Sequence, residues 1–125
     1  MQTVLVVEDN IDLRALYAGE LKNEGYAVLC AGNGRESLDI MKDQHTDIVV
    51  LDINLPDMDG LEVLERLLES QPQLPVVINS AHAAYQDSFL SWAASAYVVK
   101  SGDLSELKLQ IATALAKNEV GVSSA

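Results

Sequence analysis

Acids and other polar groups stand where apolar runs stop. The run "IVVL" (48–51) ends on Asp52 and is followed by a second polar knot, Pro-Asp-Met-Asp-Gly (56–60). "TVLVV" (3–7) ends on Glu8 and Asp9, "VVIN" (76–79) on Ser80, and "AYVV" (96–99) on Lys100. A carboxylate at the mouth of a buried strand is costly unless something binds it. Three carboxylates brought together cannot all stay ionised without a counter-charge. A hard divalent cation held by one or two carboxylates, a carbonyl oxygen and water supplies that charge, and Mg²⁺ suits the set best. Such a cation can grip a phosphoryl group, with Ser80 and Lys100 left to bind its remaining oxygens. In this chemistry Asp52 is a nucleophile that accepts phosphate as an acyl phosphate.

Only a particular arrangement of elements joins these groups. The apolar runs are 3–7, 27–31, 47–52, 76–79 and 96–99, and amphipathic stretches alternate with them. Leu13, Leu16, Tyr17 and Leu21 share helical spacing before Gly25, which suits a helix stop. Leu38 and Met41 mark a short helix over 34–44. Asp59, with Glu62 three residues on, predicts a capped helix carrying Leu61, Leu64, Leu67 and Leu68. A weak helix is expected over 83–93. The last begins with Asp103 and Glu106 and carries Leu104, Leu107, Ile111 and Leu115, leaving a frayed tail at 120–125 beyond a domain spanning 1–119.

Five βα units with strands apolar on both faces predict an α/β fold, a doubly wound five-stranded parallel sheet. The natural order is 2-1-3-4-5, a flavodoxin-like three-layer sandwich with its crevice between strands one and three. All strand C-termini then lie along one edge, and Glu8, Asp9, Asp52, Ser80 and Lys100 become neighbours. Singly, each has an ordinary explanation: a loop-start acid, an N-capping serine, a surface lysine. Their occupation of four of five strand ends favours a site.

Composition narrows the partners. The chain has 125 residues and a net charge of −11, which repels phosphate backbones and argues against direct nucleic-acid binding. No apolar run approaches the roughly 20 residues of a membrane span, and a strand begins at once, without a signal-like segment. A single cysteine, Cys30, closes no intramolecular disulfide and is expected to be buried or half-buried. A cytoplasmic location fits these features.

The segments "VLVVEDN", "GYAVLCAGNGRESL", "DIVVLDINLPDMDG" and "AYVVK" occur in an order and spacing that resemble the receiver domain of two-component response regulators, the chemotaxis-regulator type. The resemblance covers residues 3 to about 118, and the strand order assumed above is this family's own, so the two are a single expectation. It implies that Asp52 is the phospho-acceptor and that Asp9 is a direct Mg²⁺ ligand. Glu8 matches an acid acting on the ion through water, and Asn54 a residue contributing its backbone carbonyl; Mn²⁺ is a possible substitute. Ser80 matches the hydroxyl that turns toward the phosphoryl group, Ala81 a neighbour whose backbone N–H faces it, and Lys100 the phosphoryl-binding lysine. Tyr97 matches an aromatic switch that moves with Ser80. Asn54 and His82 match positions that tune phosphoryl lifetime, although His82 also reads as a solvated helix-start residue. Asp57, Asp59 and Gly60 read as turn and cap residues outside the site.

The implied partners are a sensor histidine kinase or histidine phosphotransfer protein, and a downstream protein target or linked effector domain. There is no membrane partner, and the state is a monomer or a phosphorylation-linked dimer. The implied output surface is the fourth helix, fifth strand and fifth helix. Within it Phe89 and Trp92 read as helix packing or as a partner anchor. Ser101 stands where the family has proline, and a trans Lys100–Ser101 peptide is expected. A phosphatase of the haloacid-dehalogenase type would need a second acid two residues past its nucleophile, where this chain has Asn54, and a cap domain. A degenerate receiver that only binds is opposed by the intact set of five polar groups. The chain is therefore read as a regulatory domain and not an enzyme. Whether it is free-standing, a phosphorelay intermediate or a piece of a longer protein stays open.

Overall fold

The computed structural model describes residues 1–82 and 93–123. The order is β1 (Thr3–Val7), α1 (Ile11–Asn23), β2 (Ala27–Ala31), α2 (Gly34–Asp43), β3 (Ile48–Leu51), α3 (Gly60–Ser70), β4 (Val76–Ser80), β5 (Ala96–Val99) and α4 (Ser105–Ser123). The helix expected over 83–93, with Phe89 and Trp92, lies outside the described residues. All strand pairs are parallel, in the order β2-β1-β3-β4-β5. This is the doubly wound fold that the alternation of runs predicts.

The strands read as continuous apolar runs because each face meets helices. Val4, Val6, Ile48, Val50, Val77 and Val98 face a core shared with Tyr17 and Leu21 of α1 and with Leu107, Ile111 and Leu115 of α4. Their alternates Leu5, Val7, Val49, Leu51, Val76 and Ile78 face Val63, Leu64 and Leu67 of α3 and partly buried Leu38 and Met41 of α2. Each such buried side chain contributes about 1.5–3 kcal/mol, so the central strands anchor the edge where the polar residues emerge.

Local signals end the helices largely as read. Gly25 takes φ +97° after α1, Gly25 N–H donates to Lys22 O and Tyr26 N–H to Leu21 O, closing a Schellman turn. Leu16 is 45% exposed, contrary to expectation. It sits one 100° step from Tyr17 on the side away from the core, whereas Ala18, one step to the other side, is buried. Asp59 caps α3 by accepting from Leu61 N–H at 3.0 Å, while Glu62 pairs with Arg66 at 3.1 Å instead of turning back on the cap. Asp103 accepts from Ser105 N–H at 2.9 Å, and α4 starts there, slightly later than Asp103 with Glu106 implied. The helix continues to Ser123, past the boundary at 119 and into the segment expected to fray. A single glycine, Gly121, costs about 1 kcal/mol and does not stop a helix already propagating.

Cys30 is exposed, which corrects the buried or half-buried thiol expected. It lies on β2, an edge strand with one neighbour, so one flank has no cover. The Lys100–Ser101 peptide is trans, as every peptide among the described residues is. No helix among them is long and apolar enough to cross a membrane.

The loop after β3 is drawn tight. Gly60 N–H donates to Ile53 O at 2.8 Å, Asn54 bridges Asp59, and a Cβ on Gly60 would stand 2.4 Å from Ile53 Cα. From the loop tip the Asp57 carboxylate accepts from Gly34 N–H at 2.8 Å and Arg35 N–H at 2.9 Å, at the start of α2. Those N–H groups of Arg35 and Gly34 hold the Asp57 carboxyl below its usual pKa. The stabilisation is therefore present above the ordinary aspartate pKa of about 4 and is lost as pH falls through the lower folded value. Melting from pH 7 down to pH 3 should show the gap between wild type and Asp57→Asn narrowing on acidification. A gap independent of pH would mean that the carboxylate charge contributes nothing.

Candidate functional site: an acidic nest at the sheet edge

The register assembles the site. Val7 pairs with Leu51 and Leu51 with Ile78, so the residues following β1 and β3 emerge side by side. The ladders run one residue further: Glu8 N–H donates to Ala31 O, Asp52 N–H to Val7 O, and Lys100 N–H to Ser80 O at 2.7 Å. The backbones of Glu8, Asp52 and Lys100 are thus fixed by the sheet itself, which makes their side chains preorganised.

Carboxylate oxygens of Glu8, Asp9 and Asp52 all lie within 4.8 Å of one another. Lys100 Nζ reaches Glu8 Oε1 at 2.7 Å and Asp52 Oδ2 at 3.1 Å. Glu8 and Asp52 are buried, at 2% and 4% exposure, whereas Asp9 is exposed. Asp52 Oδ1 accepts from Asn54 N–H at 3.2 Å, and Glu8 Oε2 accepts from Asn10 N–H at 3.2 Å. Three carboxylates against one ammonium leave a formal charge of −2. That deficit and an all-oxygen donor set, with one acid open to solvent, fit a hard divalent cation.

Burial pushes the Glu8 carboxyl up; the Lys100 hydrogen bond and the Asn10 N–H oppose it, and the Asp52 charge adds to the rise. Burial pulls the Lys100 ammonium down, but its bonds to Glu8 and Asp52 outweigh this and raise it. The directions are compatible, because one cation shared between two carboxylates cannot compensate both.

Ser80 is fully buried at the end of β4, and its Oγ accepts from His82 N–H at 3.1 Å. The Tyr97 hydroxyl donates to the His82 carbonyl. The backbone of one residue, His82, therefore connects the hydroxyls of Ser80 and Tyr97. Ala81 and Asn54 are exposed on the rim.

The sequence reading missed two supporting residues, Asn10 and Arg14, and did not say which helix Asp57, read as a turn and cap residue, would cap. Asn10 caps α1 by accepting from Leu13 N–H at 3.0 Å, and an Asn before a helix was a signal for that. Arg14 Nη1 donates to Glu8 O at 3.0 Å, and Asp57 grips α2 across more than twenty residues; no local pattern marks either contact. The largest cavity described, about 470 Å³, lies between α2 and α3, lined by Leu38, Met41, Met58 and Leu67 among others. None of the three acids lines it.

The family model of the response regulator receiver domain matches residues 4–112. The chain belongs to the response regulator receiver family. It is 33% identical over 114 residues to the regulatory protein AtoC of Escherichia coli, a match covering 90% of this chain and 25% of that one. It is 34% identical over 120 residues to the virulence transcriptional regulatory protein PhoP of Salmonella typhimurium, covering 94% and 54% respectively. The chain thus spans a quarter to about half the length of these curated relatives. Among solved structures it resembles the response regulator TrrA of Thermotoga maritima in complex with Mg²⁺-BeF, at TM-score 0.88 and 36% identity over 91% of this chain and 99% of that one. TrrA bound to the histidine kinase ThkA matches at TM-score 0.87 and 36% identity, covering 92% and 99%. As a receiver domain, the chain is a phospho-accepting signalling module.

Proposed function

We propose that Asp52 of this receiver accepts a phosphoryl group from a phosphohistidine on a sensor histidine kinase or histidine phosphotransfer protein. The observation that carries the assignment is Lys100 Nζ between Glu8 and Asp52, with Asp9 alongside, on the open edge of the sheet. An Asp52 carboxylate oxygen attacks phosphorus, the P–N bond breaks as the P–O bond forms, and the histidine ring leaves as imidazole. Lys100 already stands at Asp52 and stabilises charge on the transferred oxygens without reorganising. Ser80 Oγ and the Ala81 N–H are the further donors for that group. Asp9, Asp52 and the Asn54 carbonyl, with Glu8 acting through water, would hold Mg²⁺, which would neutralise phosphoryl charge, and Mn²⁺ has compatible ligand chemistry. The TrrA complex with Mg²⁺-BeF and the TrrA–ThkA complex support the cation and the partner.

The open edge favours a protein donor over a small enclosed substrate. Ile11, 71% exposed and two residues past Asp9, offers apolar area where a kinase carrying the phosphohistidine must approach. The chain is then a regulatory module whose chemistry is limited to its own phosphorylation and dephosphorylation, in a cytoplasmic setting. Output runs through Ser80 and Tyr97 to the surface around β5 and α4, where a target protein or linked effector reads it. Incubation with acetyl phosphate and Mg²⁺, followed by mass spectrometry, should show one added phosphoryl group mapping to Asp52. A group mapping elsewhere would overturn the assignment.

The cation makes a separate prediction. Millimolar Mg²⁺ should raise the melting temperature of wild type; at ten times Kd, mass action adds about 1.4 kcal/mol. Asp9→Asn removes one of the repelling charges, so it should melt higher than wild type in chelator and gain less from Mg²⁺. Identical melting of wild type with and without Mg²⁺ would rule out the metal site.

A further inference from the structure

Asp57 sits outside the acidic nest, yet it joins the loop following Asp52 to a second element. The first free N–H groups of α2 donate to two oxygen acceptors. Asn33 Oδ1 accepts from Glu36 N–H at 2.8 Å, as an ordinary N-cap does, while Asp57 takes Gly34 and Arg35. Asp57 therefore completes the cap of a helix more than twenty residues before it in the chain. Its anionic oxygens meet the positive end of that helix, where such bonds are favoured.

The loop transmits what its tip does. Its base is closed by Gly60 N–H to Ile53 O and by the Asn54–Asp59 bridge, and Ile53 is buried. Asn54 N–H donates to Asp52 Oδ1 from within that base. Met58 lies so close to Gly34 that a Cβ there would stand 2.4 Å from Met58 Cγ, so the tip rests directly on the start of α2. A short loop closed at its base and fixed at its tip has little freedom to turn. Releasing the tip frees Asn54, and with it the orientation of the Asp52 carboxylate.

We infer that Asp57 is a positioning residue for phosphoryl acceptance, holding Asn54 and Asp52 in register by pinning their loop to the N-terminus of α2. The inference rests on the function proposed above and adds to it a residue that touches neither cation nor phosphoryl group. A cap alone would affect only stability. A positioning residue also affects how well the nest binds its ion.

The test compares the full chain with Asp57→Ala and Asp57→Asn by calorimetric titration with MgCl₂, thermal melting, and acetyl-phosphate labelling rates across Mg²⁺ concentration. Asp57→Ala should weaken Mg²⁺ binding about tenfold, the scale for losing a group that orients a metal ligand. Its labelling should slow at low Mg²⁺ and recover toward the wild-type rate at saturation. Asp57→Asn keeps one of the two acceptor oxygens and should bind Mg²⁺ better than the alanine variant but measurably more weakly than wild type. If Asp57→Ala melts lower but binds Mg²⁺ as wild type does, the residue is only a cap and the inference fails. If the alanine variant does not fold, the asparagine variant decides, with wild-type affinity again overturning the inference. Failure of wild type itself to bind Mg²⁺ or to be labelled would remove the proposed function, a result distinguishable from failure of the Asp57 variants alone.

Discussion

Asp52→Asn should carry no detectable phosphoryl group after treatment with acetyl phosphate and Mg²⁺, while remaining folded. The amide that replaces the carboxylate has no anionic oxygen to attack phosphorus, and no acyl phosphate can form on it. The surroundings survive the exchange. Lys100 keeps Glu8 at 2.7 Å, and an amide oxygen can still accept from Asn54 N–H. The substitution also lowers the negative charge of a nest that holds three acids and one ammonium, so it should not melt below wild type by more than a few degrees. Intact-mass measurement and melting on the same sample separate loss of chemistry from loss of fold. Labelling that persists in the variant would move the acceptor to Glu8 or Asp9.

Gly60→Ala is expected to be the most damaging single-methyl change in the chain. The added Cβ would meet Ile53 Cα at 2.4 Å, Ile53 O at 2.6 Å and Asp52 O at 2.7 Å, all of them backbone atoms. Alanine at the start of α3 gains up to about 1 kcal/mol in helix propensity. Overpacking against backbone costs about 3 kcal/mol, so the clash wins and the melting temperature should fall by roughly 10 °C. Gly34→Ala provides the contrast. Its Cβ would press on Met58 and Val63 side chains, and the thioether can swing aside. A melting temperature for Gly60→Ala equal to wild type would show that the loop opens easily, and the tight closure described for it would be wrong.

The sequence made the sheet and its edge legible because both rest on short-range patterns. Runs such as "TVLVV" and "IVVL" name the buried strands, and parallel pairing then places Glu8, Asp52, Ser80 and Lys100 at the same end. Gly25 and Asp59 were readable for a similar reason, since a turn or cap is decided within a few residues. Leu16 misled because spacing alone does not say where the edge of a stripe falls. Cys30 misled because the general burial of cysteine was weighed above the edge position that the expected strand order already gave its strand. Arg14 on the Glu8 carbonyl and Asp57 on α2 had no local signature at all; each depends on elements meeting after folding. Physical reading supplied their neighbourhood, the cation and the broad parts of Asp52, Ser80 and Lys100; the resemblance supplied the finer roles of Glu8, Asp9, Asn54, Ala81, His82 and Tyr97.

The backbone of His82, whose N–H donates to the Ser80 hydroxyl and whose carbonyl accepts from the Tyr97 hydroxyl, imposes a reciprocal obligation. Should phosphorylation move Ser80 as proposed, a molecule gripping the Tyr97 side must feel that free energy in equal measure. A target that prefers one placement of that ring will shift the phosphorylation equilibrium by the same factor that phosphate shifts its binding. On that proposal the listener on β5 speaks back to the acid on β3.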